Sequence, residues 1–287
     1  MALSYPECVC LREQMEEALV GKQIESIWVL DITQVEGSWR FGAINQPPAV
    51  FDLRLRGATI CAAESVASSV FLPTDTNHSL VLGYISGRAL YHQPGEGPPE
   101  RSCLRVCFTD ESHLSVAISL WGLIRVLDDA ERRRYVEKWY GRGIEPLSDA
   151  YTWEGFRDAA AAIDDRGLSA KKFLHAFEPG YYLSGLDAGY AIEVLHRACI
   201  HPKRALVSLS TDELRACCEC VNTVCEEAVA RGGRYSDGDL YGRPGGFIPR
   251  ACEATLGTPC LECGTPLVKI KFEGGTSYLC PTCQPAP

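Results

Sequence analysis

Four cysteines near the end of this 287-residue chain constrain it more than any other feature. Cys260 and Cys263 enclose two residues, Cys280 and Cys283 enclose two more, and sixteen lie between the pairs. Thiolates at this spacing suit one tetrahedral zinc ion, because the knuckles Cys263-Gly264 and Cys280-Pro281 each present two sulfurs on a tight turn. Between them, Leu267–Phe272 and Thr276–Leu279 flank Gly274-Gly275, a pattern that predicts a β-hairpin. Four protein ligands leave no open coordination position, so the zinc is expected to be structural. Function must then lie in what the hairpin touches.

The chain carries fifteen cysteines in all, and the others show no ligand spacing. They read as small buried hydrophobes. Cys217, Cys218, Cys220 and Cys225 share one predicted helix but point to different faces, which favours packing over a second metal site.

Upstream, the texture changes twice. Residues 9–20 place Val9, Met15, Ala18 and Leu19 on one helical face, and Gly21 stops the helix. Alternating segments follow at 51–56, 79–86, 88–92, 104–108 and 114–120, which predict half-buried antiparallel strands. The charged stretch Asp128–Arg142 reads as a connector. Beyond it, helices are expected over 152–163, 169–177, 188–198 and 211–231, the last stopped by Gly232-Gly233. The fold class expected is therefore α+β and multidomain. A β-sandwich with one helix spans 1–128, a connector 129–150, a helical domain 151–247 and a zinc module 248–287.

The formal net charge is −9, which argues against a nonspecific nucleic-acid coat but leaves room for a local basic face. No run approaches the ~18 apolar residues of a membrane span. The first seven residues lack the basic and apolar regions of a secretory signal, so a cytoplasmic protein is expected. The basic turn His201-Pro202-Lys203-Arg204 lies between two predicted helices. A phosphate contact is open to it, but on the residues alone a turn with solvated charges is the favoured reading.

The order of these features resembles the formamidopyrimidine-DNA glycosylase and endonuclease VIII family. The resemblance rests on Ser169–Leu174 through Ala198–Lys203, on Gly232-Gly233-Arg234, on Gly242–Phe247, and on Pro259–Pro266 with Cys280–Gln284. Pro6-Glu7 before an amphipathic helix, and Pro146–Asp149 between the halves, resemble the family's start and interdomain junction. What the resemblance implies is a monomeric, nucleoid-associated DNA clamp. A helix–two-turn–helix domain and a zinc hairpin would grip damaged duplex while a base is flipped from the stack. Lys171, His201, Lys203, Arg204, Arg234 and Arg243 would then contact DNA, with Tyr84 and Arg88 near the gap left by the flipped base.

The departures from the family pattern are as informative. The family's nucleophile is an N-terminal proline amine followed by a glutamate. Aligning Pro6-Glu7 on its second Pro-Glu puts Leu3 and Ser4 at that pair. The family's sandwich lysine, turn asparagine and hairpin arginine fall on Ala58, Ala188 and Gly275. The remaining catalytic candidates are the Ala2 amine, if Met1 is removed, and Glu7. Three functions stay open: damaged-DNA binding with at most monofunctional glycosylase activity, an active glycosylase/AP lyase using Ala2 or Glu7, and a non-catalytic protein-interaction scaffold.

Overall fold

Alternating apolar residues in the first half build two antiparallel sheets in the computed structural model, which describes residues 3–30, 44, 46–97, 101–141, 143–175 and 183–287. The chain divides into two units, one of residues 1–138 with 232–245 and one of residues 139–231 with 246–287. The glycine-rich segment grouped on sequence with the helical domain therefore packs, up to Gly245, with the sandwich.

In the first unit, helix α1 (Tyr5–Leu19) precedes strand β1 (Ile24–Val29) and helix α2 (Pro48–Leu55). Strands β2 (Glu64–Val66), β3 (Ser69–Pro73), β4 (His78–Gly83), β5 (Gly87–His92), β6 (Leu104–Phe108), β7 (His113–Ile118) and β8 (Leu123–Asp128) follow. One sheet has the order β1-β6-β7-β5 and the other β2-β3-β4-β8. Leu104, Val106, Leu114 and Val116 from the first share a core with Val70, Leu72, Leu80, Leu82, Ile124 and Val126 from the second. Helix α1 adds Leu11, Met15 and Leu19.

One sequence expectation fails here, and one stretch gains an element the sequence reading did not assign. Residues 51–56 form a helix, not a strand. Phe51 and Leu55 are fully buried and stand one helical turn apart, while Leu53 between them is 85% exposed. Pro48 occupies the first turn, where its missing N–H costs nothing. The connector is also a helix, α3 (Asp129–Tyr140). Asp128 accepts from the Glu131 N–H at 2.8 Å and Glu131 accepts from the Asp128 N–H at 2.9 Å, a reciprocal cap. Its charge density hides two buried tyrosines, Tyr135 and Tyr140.

The second unit contains α4 (Trp153–Ala161), α5 (Ala170–Leu174), α6 (Ala188–Arg197), α7 (Thr211–Ala230) and the hairpin β9 (Val268–Phe272) and β10 (Gly275–Leu279). Ser210 and Glu213 cap α7 reciprocally. Its face of Cys217, Cys218, Val221, Val224, Cys225 and Ala228 is buried. Phe156 packs edge-on to Phe173 at 5.2 Å and to Tyr151 at 6.1 Å. No described helix is long and apolar enough to cross a membrane.

Candidate metal centre and nucleic-acid interface

The zinc spacing becomes geometry. The sulfurs of Cys260, Cys263, Cys280 and Cys283 all lie within 4.8 Å of one another. Cys260 Sγ is 3.9 Å from Cys283 Sγ, and Cys263 Sγ is 3.4 Å from Cys280 Sγ. A tetrahedral zinc with four thiolates sets these separations at about 3.8 Å, so the donor set fits one ion. Gly264, at φ +75°, closes the first knuckle by donating its N–H to Cys260 O at 2.8 Å, a conformation a side chain disfavours. Thr265 Oγ1, 3.3 Å from Cys263 Sγ, pulls that thiol down to about 6, toward the thiolate a metal needs.

Gln284 seats this module on α6. Its side-chain carbonyl accepts from the Cys280 N–H at 3.1 Å and lies 2.9 Å from His196 Nδ1, while its amide donates to Ile200 O at 2.7 Å. The hairpin tip reaches the start of α5. Glu273 accepts from Ser169 Oγ at 2.7 Å, and Lys171 Nζ donates to Phe272 O at 3.1 Å.

That contact changes the reading of Lys171. The side chain is 2% exposed, its charge is disfavoured by burial, and its donor is aimed at the hairpin backbone rather than at solvent. Lys203 is exposed, with Nζ 5.8 Å from the Phe272 ring centroid. His201 is buried and its Nδ1 accepts from the Lys203 N–H at 3.1 Å. Arg204 is engaged by Glu213 and Ser208. Two cations that the sequence reading missed, Lys269 and Lys271, are exposed on β9. Their signal was present in the alternation Lys269-Ile270-Lys271-Phe272.

In the first unit, the chain start, the loop after β4 and the loop after β7 meet. Leu3 is buried, and its backbone N–H donates to Ile85 O at 2.9 Å. Ser86 N–H donates to Trp121 O at 2.8 Å, and Ser119 N–H donates to Ser86 O at 2.6 Å. These bonds present Leu120, 62% exposed, and Trp121 at one tip. Both were missed because a Leu-Trp pair after a strand reads as core. Tyr84 is half-buried at φ +48°, Ile85 is fully buried and Arg88 is exposed on β5.

Glu7 is 5% exposed and does not face solvent. It accepts from the Ser4 N–H at 3.2 Å and the Arg234 N–H at 3.1 Å, and its carboxylate lies 3.3 Å from Arg234 Nε. Asp237 lies 3.1 Å from the same nitrogen. Arg234, 1% exposed, is thus an internal ion-pair partner and not a surface cation. Gly245 permits this arrangement, because a Cβ there would stand 2.1 Å from Gly233 O. Arg243 is on the rim, paired with Asp239 at 2.9 Å and 5.0 Å from the Tyr241 ring. Ala2 lies outside the described residues.

A sequence model described as "Zinc finger found in FPG and IleRS" matches residues 257–286. The chain is 33% identical to a formamidopyrimidine-DNA glycosylase of Gluconobacter oxydans, over 97% of this chain and 98% of the relative. It is 31% identical to the Thermomicrobium roseum glycosylase of that name, over 98% of both. In fold it is similar to Lactococcus lactis Fpg crystallised with abasic-site DNA, at TM-score 0.84 and 20% identity, covering 99% of this chain and all of that one.

Proposed function

Because the chain belongs to the formamidopyrimidine-DNA glycosylase family, we propose that it is a zinc-stabilised binder of damaged or distorted duplex DNA in base-excision-type repair. Proline-amine lyase chemistry is lost in this reading, and glycosylase activity is at most monofunctional. One observation carries it. The nitrogen at the aligned nucleophile position, Leu3 N, is a peptide amide that donates to Ile85 O. Its lone pair is delocalised into the carbonyl and cannot attack a sugar carbon. Ser4, aligned with the assisting glutamate, brings no carboxylate and is buried. Glu7 is committed to Arg234.

Elements suited to binding DNA remain in each unit. Leu120 and Trp121 form an exposed apolar tip of the kind that wedges between unstacked bases. Lys203, Lys269 and Lys271 offer exposed positive charge for phosphates. Several solved structures similar in fold hold abasic, 8-oxoguanine or formamidopyrimidine lesions, which supports a damaged-duplex ligand.

The test combines binding with borohydride trapping on an abasic-site duplex. The expected result is a preference for the abasic duplex over the intact one, without a covalent adduct. Trapping as strong as that of a relative with an N-terminal proline would overturn the loss of lyase chemistry. Equal affinity for both duplexes would overturn damage recognition.

A further inference from the structure

The outer face of the sheet β1-β6-β7-β5 carries an arrangement that the proposed duplex contacts do not include. One rung of directly opposed residues runs Ser26, Cys107, His113, His92, and the next runs Trp28, Arg105, Ser115, Leu90. Opposed residues in an antiparallel sheet share a face. The alternate residues Val106, Leu114 and Val116 fill the core, so these two rungs point away from it.

The His92 and His113 rings stack at 4.4 Å with an 11° tilt, and His92 Nε2 lies 2.8 Å from Ser115 Oγ. His113 is 7% exposed, yet among the described residues its Nε2 has no partner. Arg105 Nε is likewise buried without one among them. The Arg105 guanidinium lies 5.9 Å from the Trp28 ring, and Trp28 is 47% exposed. Arg54, Arg197, Arg204, Arg234 and Arg243 all meet carboxylates, whereas among the described residues Arg105 meets none. Glu96 acts on both imidazoles from a distance, and its Oε2 accepts from the Gln93 N–H.

Buried polar groups without partners are costly and call for an explanation. A guanidinium donates only and cannot ligate a metal, so a ligand shared by Arg105 and His113 must be an acceptor. An anionic oxygen meets both. Burial holds the two imidazoles below their ordinary value, which keeps this face from accumulating positive charge. We propose that this face binds a nucleoside phosphate, the phosphate between Arg105 and His113 and the base against the exposed surface of Trp28. Arginine with an aromatic neighbour is the combination that recognises nucleotides through charge and stacking. The source is a free nucleotide or the terminal nucleotide of a strand. The inference does not depend on the duplex-binding reading.

The experiment titrates the full-length zinc protein with deoxyadenosine monophosphate, inorganic phosphate and a 5′-phosphorylated single strand, following histidine ring resonances. The nucleotide should shift His113 and His92 with a Kd of about 1 mM or tighter. Inorganic phosphate should shift them with affinity about tenfold weaker, for want of stacking. Trp28→Ala should reduce nucleotide affinity to the phosphate level, and Arg105→Ala should abolish both responses. Arg105→Lys keeps the charge and should bind weakly, which guards against loss through misfolding. Tighter binding of the strand than of the free nucleotide assigns the source to nucleic acid, and the reverse assigns it to the free pool. Unshifted histidines in the native protein, or an Arg105→Ala chain that binds as before, would overturn the proposal.

Discussion

The C-terminal zinc module and the N-terminal segment share a family but have kept different things. The module holds all four ligands, both knuckles and a seat on α6 through Gln284. The N-terminal segment forms a capped helix and bonds to the loop after β4, and under the proposed reading its Leu3 amide stands where the family has an amine. Scaffold elements persist because each is held by many contacts. Catalytic chemistry rests on a few atoms, so under the proposed reading a small shift of this segment is enough to displace it.

The sharpest way to break this comparison is to remove the metal. Cys263→Ser, or a strong chelator, should release one zinc per chain and unfold residues 248–287, because structural zinc supplies about 10–16 kcal/mol in zinc-finger peptides. Limited proteolysis should then cut within that module first. The tip contacts of Glu273 with Ser169, and of Phe272 with Lys171, should be lost with it. A resistant, zinc-free module would show that the hairpin folds without its ion.

Glu7 tests the other side. Glu7→Gln leaves the buried Arg234 guanidinium with Asp237 as its remaining acid, and breaking a buried pair costs roughly 3–5 kcal/mol. With Asp237 retained, a loss near about 3 kcal/mol in urea unfolding is expected. Affinity for an abasic-site duplex should change little. Loss of base release at unchanged stability would instead make Glu7 an acid–base group.

Local signals in the sequence located what local physics determines. The zinc ligands, the glycine stop after α7 and the hairpin depend on residues a few positions apart. Helix α2 was misread because six residues from Phe51 to Arg56 fit a period of two as well as a helical turn. Only the burial of Phe51 and Leu55, with Leu53 exposed, decides between them. The site was harder to see, since Glu7 meets Arg234 across 227 positions and Lys171 meets Phe272 across 101. No spacing announces such contacts.

The two units also differ in how acid should affect them. His175 in the second unit is held down to about 4, chiefly by burial and further by Lys171, against the opposing pull of Asp187. His92 and His113 in the first are lowered too, first by burial. Each therefore binds protons more readily unfolded than folded. Their stabilisation is complete above about pH 6.5 and declines as pH falls toward the folded values. For His175 the window runs from about 6.5 to about 4 and the loss amounts to roughly 2–3 kcal/mol. Thermal melts between those pH values should show it, and His175→Phe should flatten the decline. An unchanged slope in that variant would place the acid sensitivity elsewhere.

The smallest effect separates two lysines that sequence alone ranks the other way round. Lys171 matches the family's helix lysine, but its ammonium donates to a hairpin carbonyl in a nearly closed environment. Lys203 is exposed on the turn that follows α6. Each phosphate neutralised by a lysine contributes about 0.9 to the slope of log affinity against log salt. Lys203→Ala should thus lower that slope by close to one and weaken binding evenly across DNA sequences. Lys171→Ala should leave the slope alone and act on the hairpin instead, read as a lower melting temperature and faster amide exchange at Phe272–Gly275. The comparison is decided by the slope and not by the affinity, since a loosened hairpin can also weaken binding. If Lys171→Ala removes a full unit of slope while melting as before, Lys171 reorients toward phosphate when DNA binds, and the contact with Phe272 belongs to the free protein only.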